Sequence, residues 1–302
     1  MLRSMVSKGI RNPSKVLNYV QRNTVWKKKN QLLGVDVTKK DWDNLIILDG
    51  CRFDLFKEIN TIDGELHKVR SAASTSGEYF SNNFHGGSFP DIVYITANGW
   101  YYSIDAEFHD IIPVWKTGWD PDTRTVLPPS VNECVKENMD MISNKRTVIH
   151  YMQPHMPFLT KEDGRFKTAS IGTHHSSVPD TVDLDDKEIP DPWWDRLRRG
   201  ELERREVWEA YKTTLEVTLP YIKEIIRLLP GKTVISADHG NAFGENGVYG
   251  HPKFRCEDVL VDVPWLEING PRKNIVKSNQ TINTTKKQKI PKEKLQDLGY
   301  LQ

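Results

Sequence analysis

The sequence predicts an α/β fold in which helices cover both faces of a mainly parallel sheet. Two observations support this prediction. Short apolar runs that end at turn residues are typical of buried parallel strands, and five runs occur here: residues 44–48, 92–96, 147–151, 233–237 and 263–268. Helical segments lie between several of these runs, and strands that alternate with helices favour a parallel sheet. We therefore expect a three-layer sandwich.

The individual runs differ in what they predict. The first, NLIIL, is closed by Asp49 and Gly50 and reads as a strand buried on both faces. The last contains Pro264, which cannot donate to a β-ladder, so it is expected at an edge of the sheet.

Two helices stand out between the strands. Residues 130–143 begin with a serine cap after two prolines. Residues 201–229 form a long amphipathic pattern, in which Pro220 is expected to kink or split the helix. A weaker helical pattern covers residues 16–26.

A chain of 302 residues with 37% hydrophobic content supports one large core. We assign residues 1–43 to a basic N-terminal segment, 44–268 to the catalytic domain and 269–302 to a basic tail. Residues 160–200 are polar and rich in proline, which is typical of a functional insertion, here expected near the mouth of the substrate site.

The charge of the chain bears on the partners that it can bind. The net charge of +1 argues against a nucleic-acid partner. Lysines cluster only towards the ends; solvated termini explain them most simply, and contact with an anionic membrane surface is the alternative. These lysines are Lys27, Lys28, Lys29, Lys286, Lys287, Lys289, Lys292 and Lys294.

The three cysteines are widely spaced and form no disulfide or zinc-ligand pattern. The sequence has neither a signal-peptide pattern at its start nor an apolar stretch that reaches the roughly 20 residues of a membrane span. We therefore expect a soluble, cytoplasmic protein.

Polar residues that bear chemistry follow the predicted strands, where ligands bind in open α/β sheets. They are Asp49 after the first strand, His150 and His155 at and past the third, Asp238 and His239 after the fourth, and His251. A hydroxyl-rich stretch, residues 71–77, lies between the first two strands.

Carboxylates and imidazoles suit divalent cations, and a hydroxyl close to such an ion loses its proton more readily. Further histidines would bind substrate oxygens or protonate the leaving group. Each residue also has an ordinary explanation: a turn for Asp49, a helix cap for the hydroxyls, a core position for His150. Their shared position at strand ends favours a catalytic metal site.

Three segments resemble sulfatase-like members of the alkaline phosphatase superfamily. They are NLIILDGCRFDLF (44–56), HYMQPHMPF (150–158) and ADHGNAFGENGVYGHPK (237–253). The closing segments VPWLEI and KEKLQDLGYL resemble archaeal proteins of this group. The resemblance covers about residues 43–268 and the last ten or so.

The resemblance implies a divalent metal ion, either Zn, Mn, Mg or Ca, held by Asp49, Asp238 and His239. Thr75 matches best as nucleophile and further ligand, with Ser74 and Ser76 as alternatives. His155 and His251 would contact substrate oxygens or the leaving group.

Arg52 and His150 are the remaining candidates for substrate contact. Arg52 lies close to the first ligand and would stabilise negative charge, and a structural salt bridge is the alternative.

The nucleophile type separates the possible activities. Sulfatases of this group convert a cysteine in a Cys-x-Pro-x-Arg setting to formylglycine, and Cys51, Cys134 and Cys256 all lack that setting. The resemblance therefore favours a phosphoester or phosphodiester hydrolase, or a phosphotransferase. The expected substrate is a small-molecule, glycan or lipid-headgroup ester. The alternatives are a sulfuric ester hydrolase without formylglycine and an inactive relative that binds anions or glycans.

Overall fold

The computed structural model describes residues 21–171, 193–277 and the short strand Asn283–Thr284. Within these residues, eight strands form the central sheet in the order β14-β4-β3-β7-β1-β10-β13-β2. They are β1 (Asn44–Asp49), β2 (Glu65–Arg70), β3 (Ser88–Thr96), β4 (Glu107–Pro113), β7 (Arg146–Pro154), β10 (Thr233–Ala237), β13 (Asp262–Ile268) and β14 (Asn283–Thr284). The five strands from β4 to β10 are parallel, and β14 and β13 pair antiparallel to them.

Three small antiparallel pairs lie outside this sheet: β5 (Trp119–Asp120) with β6 (Thr125–Val126), β8 (Leu159–Glu162) with β9 (Arg165–Thr168), and β11 (Ala242–Phe243) with β12 (Tyr249–Gly250). The helices are α1 (Lys27–Leu33), α2 (Phe53–Ile59), α3 (Ser76–Phe84), α4 (Pro128–Glu137), α5 (Met139–Ile142), α6 (Trp193–Arg198), α7 (Arg204–Leu228) and α8 (Asp258–Val261). A π-helix, Gln21–Trp26, precedes α1.

Two consecutive residues of β7 show that helices cover both faces of the sheet. The ring of His150 stacks on Phe80 of α3 on one face. The next residue, Tyr151, points to the other face and donates a hydrogen bond from its hydroxyl to Asn132 of α4. The predicted three-layer α/β sandwich is thus confirmed.

All five predicted strands are present, and the first is buried on both faces along its whole length. The edge position predicted for the last strand is wrong. β2 pairs with the outer side of β13, with Pro264 opposite Lys68. The ladder with β10 ends at Trp265, so Pro264 lies one residue beyond it and takes no part in that pairing.

Both predicted helices have different bounds in the structure. The helix expected at residues 130–143 begins earlier, with prolines in its first turn and Leu127 as N-cap, and it divides at Asn138 into α4 and α5. Proline suits the first turn because the amide there has no partner within the helix. Pro220 does not split α7, which runs unbroken for 25 residues.

Parts of the predicted terminal segments and of the insertion lie outside the described residues: 1–20, 172–192, 278–282 and 285–302. The predicted helical pattern at 16–20 and the lysines from 286 onwards fall there. The described start of the insertion is the hairpin β8–β9, and its end is α6. In the described part of the chain, each helix is too short or too polar to cross a bilayer.

Candidate active site

The candidate site lies where β1 and β10 end side by side. The two strands are parallel with Leu48 opposite Ala237, so Asp49 closes β1 beside Asp238 and His239, which directly follow β10. All three side chains are fully buried, and each offers a ligand atom within 4.8 Å of the others. The Nε2 atom of His239 is 3.5 Å from Asp49 Oδ1 and 3.6 Å from Asp238 Oδ2.

The hydrogen bonds of His239 set its tautomer. Its Nδ1 lies 2.8 Å from the carbonyl oxygen of Gly240. A carbonyl can only accept, so Nδ1 carries the proton and Nε2 presents a lone pair to the two carboxylates. Metal-binding histidines commonly have this second hydrogen bond, because it fixes the orientation of the ring.

Asp238 is held as a carboxylate. Its Oδ1 accepts from the amides of Gly50 at 3.0 Å and His239 at 2.9 Å, whereas Oδ2 accepts no hydrogen bond from the described residues. Burial acts to raise the pKa of this carboxyl, and the hydrogen bond from the Gly50 amide acts to lower it. The pKa lies below its ordinary value.

These observations test whether a divalent cation suits the site. Two buried carboxylates and an imidazole lone pair face one another, and Asp238 Oδ2 lacks a hydrogen-bond donor within the described residues. Buried charge without compensation is strongly unfavourable. The donor set, two carboxylates and one nitrogen, is one that zinc, manganese or magnesium accepts. The residues fit a divalent metal.

Gly50 shapes the loop that carries Asp49. Its φ is +66°, a left-handed conformation that favours glycine, and a Cβ there would lie 2.7 Å from Nδ2 of Asn241. This turn directs the Gly50 amide at Asp238 Oδ1 and its carbonyl at Asn241 Nδ2, 3.1 Å away. The loops that hold the two aspartates are therefore bonded directly to each other.

The three candidate nucleophiles have different surroundings at the start of α3. Thr75 is the N-cap, and its hydroxyl oxygen accepts from the Glu78 amide. Ser76 Oγ lies 3.4 Å from both Asp49 Oδ2 and His239 Nε2. Ser74 Oγ accepts from the Arg255 amide, and its single proton is shared between two acceptors, Glu78 Oε2 at 3.1 Å and the Pro252 carbonyl at 3.0 Å. Ser76 thus lies against the proposed metal ligands, and the role of Thr75 stays a prediction.

His155 and His251 lie against each other, with their Nε2 atoms 3.0 Å apart. His155 Nδ1 donates to the carbonyl of Met156, so its Nε2 accepts from His251. Burial lowers the pKa of His155 to about 4 and, together with His239 and His155, holds that of His251 well below its ordinary value. The ring of His251 is 4.6 Å from that of His239, so the neutral pair adjoins the metal ligands.

His150 lies behind Asp238 and not at an open surface. It is fully buried, its Nε2 is 3.8 Å from Asp238 Oδ2, and its Nδ1 is 3.1 Å from the hydroxyl of Tyr94. Burial lowers its pKa to about 4. Substrate contact by His150 stays a prediction, since the contacts seen here are with the core and with Asp238.

Arg52 is bound to protein groups on several sides. Its guanidinium pairs with Asp54 and Glu245 and donates to the carbonyl of Asn241. It also lies 4.9 Å from the ring of Trp208. These contacts are those of the structural salt bridge that was the alternative, and the predicted role in substrate binding remains untested.

Asn98 is a site residue that the sequence analysis missed. Its Nδ2 donates to Asp49 Oδ2 at 2.6 Å, and its side chain is fully buried. It lies two residues after β3, so the rule that located the aspartates also applies to it. It was overlooked because an asparagine after a strand is typical of an ordinary turn.

No protein-family model and no curated protein matches this sequence. Among solved structures, the soluble domain of lipooligosaccharide phosphoethanolamine transferase A from Neisseria meningitidis is similar with a TM-score of 0.47 and 13% identity over 75% of each chain. A putative sulfatase from Bacteroides thetaiotaomicron is similar with a TM-score of 0.43 and 14% identity, over 76% of this chain and 64% of that one.

A third similar structure is a protein in the alkaline phosphatase superfamily from Vibrio parahaemolyticus, with a TM-score of 0.38 and 13% identity over 84% of this chain and 70% of that one. The Vibrio parahaemolyticus structure is described as a protein of the alkaline phosphatase superfamily, which is the superfamily that the motifs of this sequence resemble. Membership of the archaeal group within it stays a prediction.

Proposed function

We propose that this chain is a metal-dependent enzyme that cleaves or transfers phosphate esters through a hydroxyl nucleophile. The observation that carries the proposal is the buried group of Asp49, Asp238 and His239 beside the hydroxyls at the start of α3. Hydrolysis and phosphotransfer could both use this arrangement and would differ in the final acceptor, water or another hydroxyl, whereas phosphomonoesters and phosphodiesters would differ as substrates.

Asp49, Asp238 and His239 would hold the ion, which would supply positive charge that favours loss of a nearby hydroxyl proton and attracts the ester oxygens. The helix α3 also begins beside this group, and the N-terminus of a helix favours a bound anion. The hydroxyl of Thr75, or of its neighbour Ser76, would attack phosphorus in line with the leaving group.

The pair of His155 and His251 would handle the proton of the leaving group. Both rings are neutral near pH 7, since their pKa values lie below the ordinary value. His251 Nδ1 has no hydrogen-bond partner among the described residues, so it would take the proton that the attacking hydroxyl releases and pass it to the leaving oxygen. His155 would hold the His251 ring in place through the bond between the two Nε2 atoms.

Metal content tests this proposal first. We expect about one or two divalent ions per chain by elemental analysis after reconstitution, and their loss in Asp238→Asn. Asparagine keeps the shape and the Oδ1 acceptor for the two amides, so the variant should fold and fail only in metal binding. Asp140→Asn, at an exposed carboxylate of α5, is the matched control and should keep the metal.

A panel of aryl esters tests the reaction. Wild type with metal should turn over an aryl phosphate or phosphodiester faster than the matching aryl sulfate, and Asp238→Asn should turn over neither. Faster sulfate cleavage would make the sulfuric ester hydrolase the correct function. Absence of metal from both proteins after reconstitution would exclude the proposed enzyme and favour an inactive anion-binding relative.

A further inference from the structure

Exposed apolar side chains concentrate in one short segment, residues 24–33, which we call the docking segment. In the part of the chain that the structure describes, five large hydrophobic residues are exposed, and three of them lie here. They are Val25 at 58%, Leu32 at 81% and Leu33 at 60% exposure. Val25 and Leu32 are two helical turns apart and therefore share a face. Single exposed leucines are ordinary, but a cluster of this kind marks an interaction surface.

The charge around this cluster is strongly positive. The first 35 residues contain eight lysines and arginines and no aspartate or glutamate. The whole chain has a net charge of only +1, so the remainder is net negative. Lys28 and Lys29, next to the exposed apolar residues, are themselves exposed. The surface is therefore both apolar and cationic.

The other face of the docking segment is fixed to the protein body. The guanidinium of Arg255 lies 4.9 Å from the Trp26 ring, and the buried side chain of Asn30 donates to the Arg255 carbonyl at 2.5 Å. Gln31 donates to Asn82 of α3 at 2.9 Å. With this inner face bound, the outer face with Val25 and Leu32 is held in a fixed orientation.

We propose that the docking segment binds the chain to an anionic lipid surface. Apolar side chains that enter the boundary between headgroups and acyl chains, with lysines directed to lipid phosphates, form the usual chemistry of a helix lying on a membrane. Nucleic acid would satisfy the lysines but offers no apolar environment for Val25, Leu32 and Leu33. The combination of both features favours lipid.

The docking segment and the candidate active site share a loop. Arg255, which contacts Trp26, also donates its amide to Ser74 Oγ at 3.1 Å, next to the candidate nucleophiles. Binding to a membrane would therefore hold the start of α3 in a defined orientation to the lipid surface. The proposal itself does not depend on catalysis.

Co-sedimentation of the full chain with vesicles tests the proposal. We compare vesicles of phosphatidylcholine alone with vesicles that contain phosphatidylserine as well, at low and at physiological salt. Wild type should bind the anionic vesicles and not the neutral ones. The double variant Val25→Gln, Leu32→Gln should bind at least about tenfold more weakly, because it keeps every charge and loses the apolar contact. Leu228→Gln, at a leucine with 46% exposure on α7, is the control and should bind as wild type does.

Circular dichroism and metal content of the double variant establish that it folds. Equal binding by wild type and the double variant would overturn the proposal, because only the charges would then matter. Failure of wild type to bind anionic vesicles would overturn it too, as would a tighter interaction with single-stranded RNA or duplex DNA that competes with the vesicles. These outcomes are independent of ester cleavage, so they leave the proposed enzyme activity to its own test.

Discussion

The hydroxyls of Thr75 and Ser76 are adjacent in sequence but have different partners. As the helix cap, the Thr75 hydroxyl oxygen accepts a hydrogen bond from the Glu78 amide. This leaves the proton of the Thr75 hydroxyl available to a base. Ser76 is 1% exposed, with its oxygen between Asp49 and His239. Thr75 is 7% exposed, so its side chain is slightly more accessible than that of Ser76. The two hydroxyls are therefore expected to have different roles, which substitutions at each residue can separate.

We expect Thr75 to be the nucleophile and Ser76 to support the metal ligands. Thr75→Ala should then reduce kcat by at least about 10³-fold, because the covalent route is lost. Thr75→Ser keeps the hydroxyl and should stay within about tenfold of wild type, and Ser76→Ala should mainly weaken metal affinity. Steady-state kinetics at saturating metal measure all three variants.

Mass spectrometry of acid-quenched enzyme locates the phosphorylated residue directly. A phosphate on Ser76, together with an inactive Ser76→Ala and an active Thr75→Ala, would reverse the assignment. Ser74→Ala serves as the third comparison, since Ser74 is committed to contacts with Glu78, Pro252 and Arg255.

At the level of the element, the first turn of α3 is held by Glu78. Its Oε2 accepts from the amide and hydroxyl of Ser74, at 3.0 Å and 3.1 Å, and its Oε1 accepts from the amide of Phe254 at 2.6 Å. With Thr75 as N-cap, this arrangement resembles a capping box, in which an acidic side chain in the first turn reaches back to an amide before the helix. It also bonds the helix to the loop that follows His251.

Glu78→Ala should lower the free energy of unfolding by about 1–3 kcal/mol, since the amides of Ser74 and Phe254 lose their acceptor. Turnover should fall as the start of α3 becomes less ordered, and metal content should fall less than in Asp238→Asn because Asp49, Asp238 and His239 lie on other elements. Urea unfolding and elemental analysis measure the two effects. Glu133→Ala, at an exposed glutamate of α4, is the control. Unchanged unfolding in Glu78→Ala would refute the role of this cap.

Sequence reasoning found the strands that are buried on both faces and missed those at the margins. β1 and β10 are wholly buried, and an apolar run in the middle of each made the pattern visible. β2 reads ELHKVR and is largely exposed, because β13 is its single strand partner in the described sheet. A polar edge strand of this kind looks like a loop in sequence.

The candidate site, like the sheet, was predictable from the sequence only in part. Asp49, Asp238 and His239 were identified because each lies at the end of a buried strand, where the topology brings them together. The choice among Ser74, Thr75 and Ser76 depends on where α3 begins, and that start is fixed by the contacts of Glu78 with Ser74 and Phe254. Contacts between segments so distant in sequence leave no local pattern.

On the scale of the whole molecule, Lys273 connects the segment after β13 to the N-terminal ends of β1 and β7. The candidate site lies at the opposite end of these strands. Its Nζ lies 2.6 to 3.3 Å from four oxygen atoms, which share its three N–H donors: Asn44 Oδ1, the carbonyls of Ile142 and Lys145, and Thr147 Oγ1. Asn44 begins β1, and Thr147 is the second residue of β7. Burial lowers the pKa of this lysine to about 8, while Asp43 acts in the opposite direction.

This lowered pKa predicts that the contribution of Lys273 to stability rises with pH over a defined range. Between about pH 8 and the unfolded value of 10.5, the folded state binds fewer protons at Lys273 than the unfolded state. The contribution of Lys273 to the free energy of unfolding therefore increases with pH there. Each pKa unit corresponds to about 1.4 kcal/mol, so this contribution is at most about 3 kcal/mol in total. Burial raises the pKa of the Cys51 and Cys134 thiols, which acts in the opposite direction over the same range, so Lys273 is measured as the difference between wild type and a variant that lacks it.

Lys273→Met keeps the aliphatic stem and removes the titrating group. We measure its free energy of unfolding by urea at half-unit steps of pH and expect its slope with pH to be lower than that of wild type between pH 8 and 9.5. The exposed Lys277→Met is the control and should have the same slope as wild type. Four oxygen atoms surround the ammonium, and hydrogen bonds to a charged donor favour its charged form. Parallel pH profiles for wild type and Lys273→Met would mean that these four bonds offset burial, and that Lys273 fixes the chain to β1 and β7 without making folding depend on pH.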